Sequence, residues 1–319
     1  MATQTTQAAY YDQFGGIDQL KIGALDLPEL QEGEVLLQVK AAGINPVDAT
    51  VREGKFNAVV PAKFPVVPGW DVAGVVEKSG PGASRFAEGD EVFGYIKRPV
   101  AQHGSFAERI VVPECYLAAR PTKLTWEEAG GLPLAGLTAY QSQMVAGKLK
   151  AGETVLILGA SGGVGGTAIQ LAKDAGATVL AVASADNADH MKKLGADHTI
   201  DYKAGPVGEA ARKLAPDGVD LILDAISGDT LQQSVVAVKP NGRIISLLSD
   251  GKNLNLPAGV HFEHVMAHPS VPGLDHLREL ADSGKLKVPV VATFPLGEVK
   301  KAFEQIESHH TTGKIVVVM

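Results

Sequence analysis

The densest chemical signal in the chain is the run Gly159-Ala160-Ser161-Gly162-Gly163-Val164-Gly165-Gly166. A continuous apolar stretch, TVLIL at Thr154–Leu158, precedes it, and a helical pattern over 164–175 follows. A glycine turn between strand and helix leaves backbone N–H groups free at a helix start, where they and the helix dipole attract an anion. Lacking side chains, Gly162 and Gly163 let a pyrophosphate approach the backbone, and Gly165 lets the helix pack on the sheet. The first glycine of the usual G-x-G-x-x-G is Ala160 here, so the motif reads A-x-G-x-x-G. Ala160, Ser161, Gly162, Gly163, Val164 and Gly165 are therefore candidate dinucleotide-binding residues. The same run also reads G-x-S-x-G, a nucleophile elbow with Ser161 as nucleophile. Asp224 and either His261 or His264 follow in the chain order such a hydrolase needs. The additional glycines at 165 and 166, which an elbow does not require, weigh against it.

The tip of the next strand, Thr178–Ala183, bears on which dinucleotide is held. NAD enzymes place an acid there, about twenty residues past the turn, against the ribose hydroxyls. Here the strand runs into Ser184, and Asp186 stands two residues later, where an acid suits the first turn of a helix. Ser184, Asn187, Tyr202 and Lys203 offer groups suited to a 2′-phosphate. NADPH is expected, with NADH left open if Asp186 reaches the ribose. Other groupings are blander. His261, Glu263, His264 and His268 have the composition of a metal site, but on extended backbone His261 and His264 face opposite ways, so no metal is expected. His309-His310 reads as a solvated turn, Trp126 as core and Trp70 as pocket wall. Thr125 reads as the N-cap of a helix starting at Trp126.

The frame for these residues is legible from periodicity. From Thr154 onward, apolar strands alternate with helices, including Val207–Leu214 and Val219–Asp224. That alternation requires a doubly wound parallel sheet with right-handed crossovers. Before residue 122 the chain reads as strands over 34–42, 69–77, 90–96 and 106–112, with a short helix over 47–52. Prolines at 46, 61, 65, 68, 81, 99, 113 and 121 forbid long helices there. The expected organisation is α/β: a β-rich domain over 1–122 joined by 288–319, and a Rossmann domain over 123–287.

Composition narrows the function. Lys and Arg total 29 against 36 Asp and Glu, a net charge of −7, which argues against a broad nucleic-acid face. A single cysteine, Cys115, rules out an internal disulfide and a cysteine-built zinc cluster. No apolar run is long enough for a membrane span, and the first residues lack a secretory leader pattern. A cytoplasmic location is expected.

Several segments, in order, resemble a known family: Gly43-Ile44-Asn45-Pro46-Val47-Asp48, Pro68-Gly69-Trp70-Asp71-Val72-Ala73-Gly74, Gly89-Asp90-Glu91-Val92, Gly104-Ser105-Phe106-Ala107-Glu108 and Leu132-Pro133-Leu134-Ala135-Gly136. With Leu194-Gly195-Ala196-Asp197 and Gly313-Lys314-Ile315-Val316, the chain is similar to the medium-chain dehydrogenases/reductases. Within that superfamily it resembles the zinc-independent, zeta-crystallin-like quinone oxidoreductases. The resemblance implies a GroES-like fold for the β-rich catalytic domain. Where the zinc alcohol dehydrogenases carry a catalytic cysteine and histidine, this chain has Asn45 and Trp70. Alcohol oxidation then lacks a Lewis acid for the alkoxide, whereas hydride addition to a quinone or conjugated C=C needs only hydrogen bonds and a proton. The resemblance further implies that Asn45 lies beside nicotinamide and substrate with Asp48 near, that Thr138 and Lys314 belong to the cofactor site, and that Tyr202 lies near the adenosine phosphate. Relatives carry a tyrosine where this chain has Thr50, so water or Tyr95 becomes the proton source. They often carry a lysine where it has Asn187. A homodimer through the sheet edge near 259–267 is also implied. The expected activity is NADPH-dependent reduction of a small electrophilic quinone or α,β-unsaturated carbonyl compound, with no nucleic-acid or membrane partner. A non-catalytic NADPH-binding structural protein and a Ser161 hydrolase are the alternatives.

Overall fold

A computed structural model describes residues 4–308 and 310–319. His309 of the proposed solvated turn lies outside the described residues, as do the first three residues; His310 is exposed. The chain forms two compact units. One runs to Leu134 and includes His268–Gly284 and Val288–Met319; the other comprises Ala135–Ala267 and Lys285–Lys287.

The first unit is built on a seven-stranded sheet. Its path runs Val290–Pro295, Lys314–Val318, Glu34–Ile44, Asp71–Ser79, Glu91–Tyr95 and Leu117–Ala119, with Arg109–Pro113 paired to Glu34–Ile44. The final strand returns antiparallel to the long strand, with Ile315 opposite Ile44 and Val316 opposite Gly43. The helix Pro46–Arg52 leaves that strand directly, with Asn45 as its N-cap. Arg52 is wholly buried at its end, donating to Gly15 O (3.1 Å) and Glu307 (2.8 Å) and lying over the Phe303 ring. That anchor ties the short helix to Val299–Glu307, a helix whose Val299, Ala302, Phe303 and Ile306 line one buried face.

The second unit is a parallel sheet of six strands. Their order is His198–Asp201, Thr178–Ala183, Thr154–Leu158, Val219–Asp224, Val238–Ser246 and His261–His264. By chain position this is 3-2-1-4-5-6, the doubly wound dinucleotide-binding order. Leu156, Leu158, Leu180, Val182 and Ile222 pack its core, which is why these strands read as unbroken apolar runs.

The compact units divide at different places from the expected domains. Residues 123–134 and 268–284 cluster with the first unit. Helix Trp126–Gly131 lies on the strand Glu34–Ile44 through its small buried residues Ala129, Gly130 and Gly131. Asp282, at the end of Val271–Asp282, accepts from Thr122 N (2.7 Å) and Thr122 Oγ1 (2.9 Å). The helix expected to start at Trp126 is the first of three pieces: Trp126–Gly131, Pro133–Tyr140 and a π-helical turn, Gln141–Ala146. Pro133 has no N–H to continue the first piece. Thr125 caps that piece as expected, accepting from Glu128 N (3.3 Å) while Glu128 accepts from Thr125 N (2.9 Å). Trp126 is half-buried with Arg120 over its ring at 4.5 Å, so it is a covered surface residue and not core.

Candidate active site

In the second unit the glycine turn sits at the carboxyl end of Thr154–Leu158, where the strand order reverses and doubly wound sheets bind ligands. Gly162 is the extended N-cap of helix Gly163–Asp174, and no side chain caps that helix. The first backbone bond of the helix is Gly166 N to Gly162 O (2.8 Å), which leaves the N–H groups before it without helical acceptors. Ser161, Gly162, Gly163 and Val164 are half-buried, while Ala160 and Gly165 are buried. The two key glycines do different work. A Cβ at Gly165 would stand 2.3 Å from Gly159 O and 2.5 Å from Ala160 Cα, so this glycine is needed for helix-on-strand packing. A Cβ at Gly162 would meet only Gly159 O, at 3.6 Å, so the protein itself leaves that space open. An uncapped helix start beside open backbone fits a pyrophosphate.

The elbow reading lacks its relay. Asp224 is buried, accepting from Ile226 N (3.0 Å), Ser227 N (2.8 Å) and Ser246 Oγ (2.6 Å). His261 faces Glu263 at 3.4 Å and His264 faces Leu247 O at 3.2 Å. Neither histidine is joined to Asp224.

The groups read as suited to a 2′-phosphate do gather at one strand tip. Tyr202 N donates to Ala183 O (3.3 Å), and Asn187 Nδ2 donates to Ser184 Oγ (3.1 Å). Tyr202 is 44% exposed, with Lys203 Nζ 5.7 Å from its ring centroid. Asp186 is exposed in the turn Ala185–Asn187, past the strand. Thr138 is buried on helix Pro133–Tyr140.

In the first unit the register decides the polar site. With Ile315 opposite Ile44, Lys314 arrives beside Asn45. Its ammonium donates to Asn45 Oδ1 (2.5 Å) and stands 3.6 Å from Asp71 Oδ2. Asn45 Nδ2 donates to the same Asp71 oxygen (2.9 Å), and Asp71 Oδ1 accepts from Leu134 N (2.5 Å) at the start of Pro133–Tyr140. Gly43 makes room for this: a Cβ there would lie 2.8 Å from Asp71 Oδ2 and from Gly130 O. Asp48 accepts from Asn45 N (2.8 Å) and from Gly69 N, closing the helix start. All four residues are at most 5% exposed. Burial pushes Asp48 up to about 7, against the backbone donors, and Asp71 up to about 6, against the neighbouring ammonium. Burial pushes the Lys314 ammonium down, which the two carboxylates oppose.

Tyr95 stands opposite Asp71 in the sheet, packed at 6.2 Å on Trp70. Burial first, and then the Asp71 and Asp48 charges, raise its pKa, so its proton is firmly held. Trp70, as expected, walls a small cavity together with Asp48, Val51, Val66, Val67, Ile96, Val100 and Ala101. The cavity is apolar apart from Asp48, Arg98, Gln102 and His103.

Asn45, Asp48, Tyr95 and Lys314 are thus brought together, and the sequence reading missed Asp71, the residue that joins them. Its sequence signal is an acid opening the apolar run 72–76 of the strand Asp71–Ser79, within a segment that also carries the resemblance.

Comparison with known proteins agrees with both halves. Residues 31–122 match the alcohol dehydrogenase GroES-like domain, and residues 194–317 match the zinc-binding dehydrogenase family. The chain is 38% identical to the NADPH-dependent alkenal/one oxidoreductase of Arabidopsis thaliana chloroplasts, over 98% of this chain and 79% of that protein. This chain belongs to the medium-chain dehydrogenase/reductase superfamily, in its quinone oxidoreductase and alkenal reductase branch. The chloroplastic quinone-oxidoreductase homolog of Spinacia oleracea is 32% identical over 99% of each chain. The solved quinone oxidoreductase of Coxiella burnetii superposes with a TM-score of 0.87 at 29% identity, covering 99% of this chain and all of that one. Membership in this superfamily gives the Asn45 amide its interest. A cation, Lys314, already occupies its oxygen. Among the described residues no three His, Cys, Asp or Glu side chains are grouped to hold a metal ion.

Proposed function

We propose that this protein is a zinc-independent, NADPH-dependent reductase of α,β-unsaturated carbonyl compounds and quinones. The observation that carries the reading is the buried Asn45 amide held between Lys314 and Asp71, in a segment whose resemblance implies the place of a zinc ligand. That site offers hydrogen bonds where a metal enzyme offers a Lewis acid. A reaction whose charge develops on a conjugated oxygen is served by such a donor; alcohol oxidation is not. The uncapped turn at 160–165 would hold the pyrophosphate, and Ser184, Asn187, Tyr202 and Lys203 the 2′-phosphate. Bound NADPH would supply hydride. The protein's part is to present a donor to the oxygen that gains charge and to line the acceptor with apolar walls, Trp70 among them. Reduction of a conjugated C=C ends with a proton on the enolate, and we assign that proton to water, because the Tyr95 side chain is buried against Trp70.

We further propose a cytoplasmic homodimer. No described helix is long and apolar enough to cross a membrane. The test of the activity is NADPH consumption across a panel of quinones, enals, enones and simple ketones. Turnover of conjugated acceptors is expected, and turnover of simple ketones alone overturns the reading. Calorimetry should find NADPH bound more tightly than NADH; equal affinities would remove the assignment at Ser184 and Tyr202.

A further inference from the structure

Lys314 was expected among the cofactor-binding residues, yet the residue is buried and its ammonium is spent within the first unit. A carboxamide has one oxygen acceptor and two N–H donors. An ammonium can meet only the oxygen, and a carboxylate can meet only the nitrogen, so Lys314 at 2.5 Å and Asp71 at 2.9 Å together decide which way the Asn45 amide points. The reversed amide would put a donor against the ammonium and an acceptor against the carboxylate. Asp71 is itself fixed by Leu134 N, and Lys314 by the pairing of the final strand, so neither can follow a flip. The group left least committed on Asn45 is its second N–H, whose nearest acceptor, Gly43 O, is 3.5 Å away.

We propose that Lys314 is a positioning residue: together with Asp71 it locks Asn45 as a hydrogen-bond donor toward the bound reactants. The site then selects an oxygen partner, a carbonyl that gains charge or a carboxamide oxygen, and disfavours an N–H partner at the same place. This rests on the reductase reading for its kinetic consequence, but the lock itself does not.

The test is the Lys314→Met enzyme, measured three ways beside the wild type. Its turnover number with a conjugated acceptor should fall roughly a hundredfold to a thousandfold, the range for losing one aimed donor. Its NADPH dissociation constant, from fluorescence titration, should stay within about twofold. The Asn45 side-chain NH2 signals in a nitrogen-15 NMR spectrum, assigned by their loss in Asn45→Ala, should shift and exchange faster with solvent. Unchanged turnover overturns the proposal. So does a tenfold weaker NADPH affinity with full turnover at saturation, which would return Lys314 to the cofactor site. Should Lys314→Met fail to fold, Asp71→Ala carries the same test, since it removes the acceptor that holds the Asn45 nitrogen; full turnover there overturns the lock. If the wild type reduces no acceptor, the reductase reading fails, and the NMR comparison alone decides the lock.

Discussion

Burial holds the Asp48 carboxyl at about 7, although Asn45 N and Gly69 N both donate to it. An unfolded aspartate titrates near 3.9, so between roughly pH 4 and 7 the folded protein keeps a proton that the unfolded chain has lost. Stability therefore falls as pH rises through that window, by at most about 1.4 kcal/mol per pH unit for one group. The contribution is fully present below pH 4 and gone above 7. Asp71, raised to about 6, acts in the same sense below pH 6, and Lys314, pushed down by burial, in the opposite sense; comparing two proteins that keep both sets their shares aside. Wild-type melting temperature should decline between pH 5 and 8, and Asp48→Asn, which can still accept from Asn45 N, should flatten that decline. An identical slope in both would mean that Asp48 titrates normally. Tyr95 gives a second test at this scale. If water supplies the proton, Tyr95→Phe should keep its turnover within severalfold; a hundredfold loss, the scale of a missing general acid, would assign the proton to Tyr95.

At the scale of elements, the glycine turn separates folding from binding within four residues. Gly165→Ala puts a Cβ on backbone atoms of Gly159 and Ala160, which have no free end to move aside. It should cost roughly 1–3 kcal/mol or more despite alanine's better helix propensity. Gly162→Ala meets nothing closer than 3.6 Å and should cost about 1 kcal/mol as a poorer cap. It should nevertheless lose NADPH affinity, because its methyl enters the anion space. Denaturant titration and cofactor binding on both variants check the contrast, and equal stability losses would refute it. The same contrast explains what could be read in advance. Thr154–Leu158, Thr178–Ala183 and Val219–Asp224 are buried on both faces, so their apolar runs announced them without any partner being known. The strands Thr5–Tyr10 and Lys21–Asp26 pair with each other, half exposed and poor in large apolar residues, and gave no such signal. Helix Val299–Glu307 did carry an apolar stripe, at 299, 302, 303 and 306, and went unread beside the strand-like ends of the chain. Asp71 was hidden for a different reason. Its partners Asn45, Leu134 and Lys314 lie far away in sequence, and only strand pairing makes them neighbours.

At the scale of the whole molecule the six-stranded sheet is open, with His198–Asp201 at one end and His261–His264 at the other. His261–His264 ends the six-stranded sheet, and among the described residues no strand pairs with its outer side. A free edge is a template for another chain, and proteins usually cover it or blunt it with charge. Here two large apolar side chains are exposed close by, Leu248 at 63% and Met266 at 43%, and His264 bonds to Leu247 O beside the first of them. A two-fold axis at this edge would join two copies of the strand antiparallel, extend the sheet across both subunits and cover both side chains, an isologous contact of the kind most homodimers use. The chain mass is 33.3 kDa, so light scattering at micromolar concentration should give about 67 kDa. Leu248→Lys with Met266→Lys would bring like charges together across that axis while leaving each subunit's core untouched. The doubly substituted protein should run near 33 kDa with an unchanged circular dichroism spectrum. A wild type of about 33 kDa would remove the dimer. A substituted protein that stays at 67 kDa would keep the dimer and move its interface away from this edge.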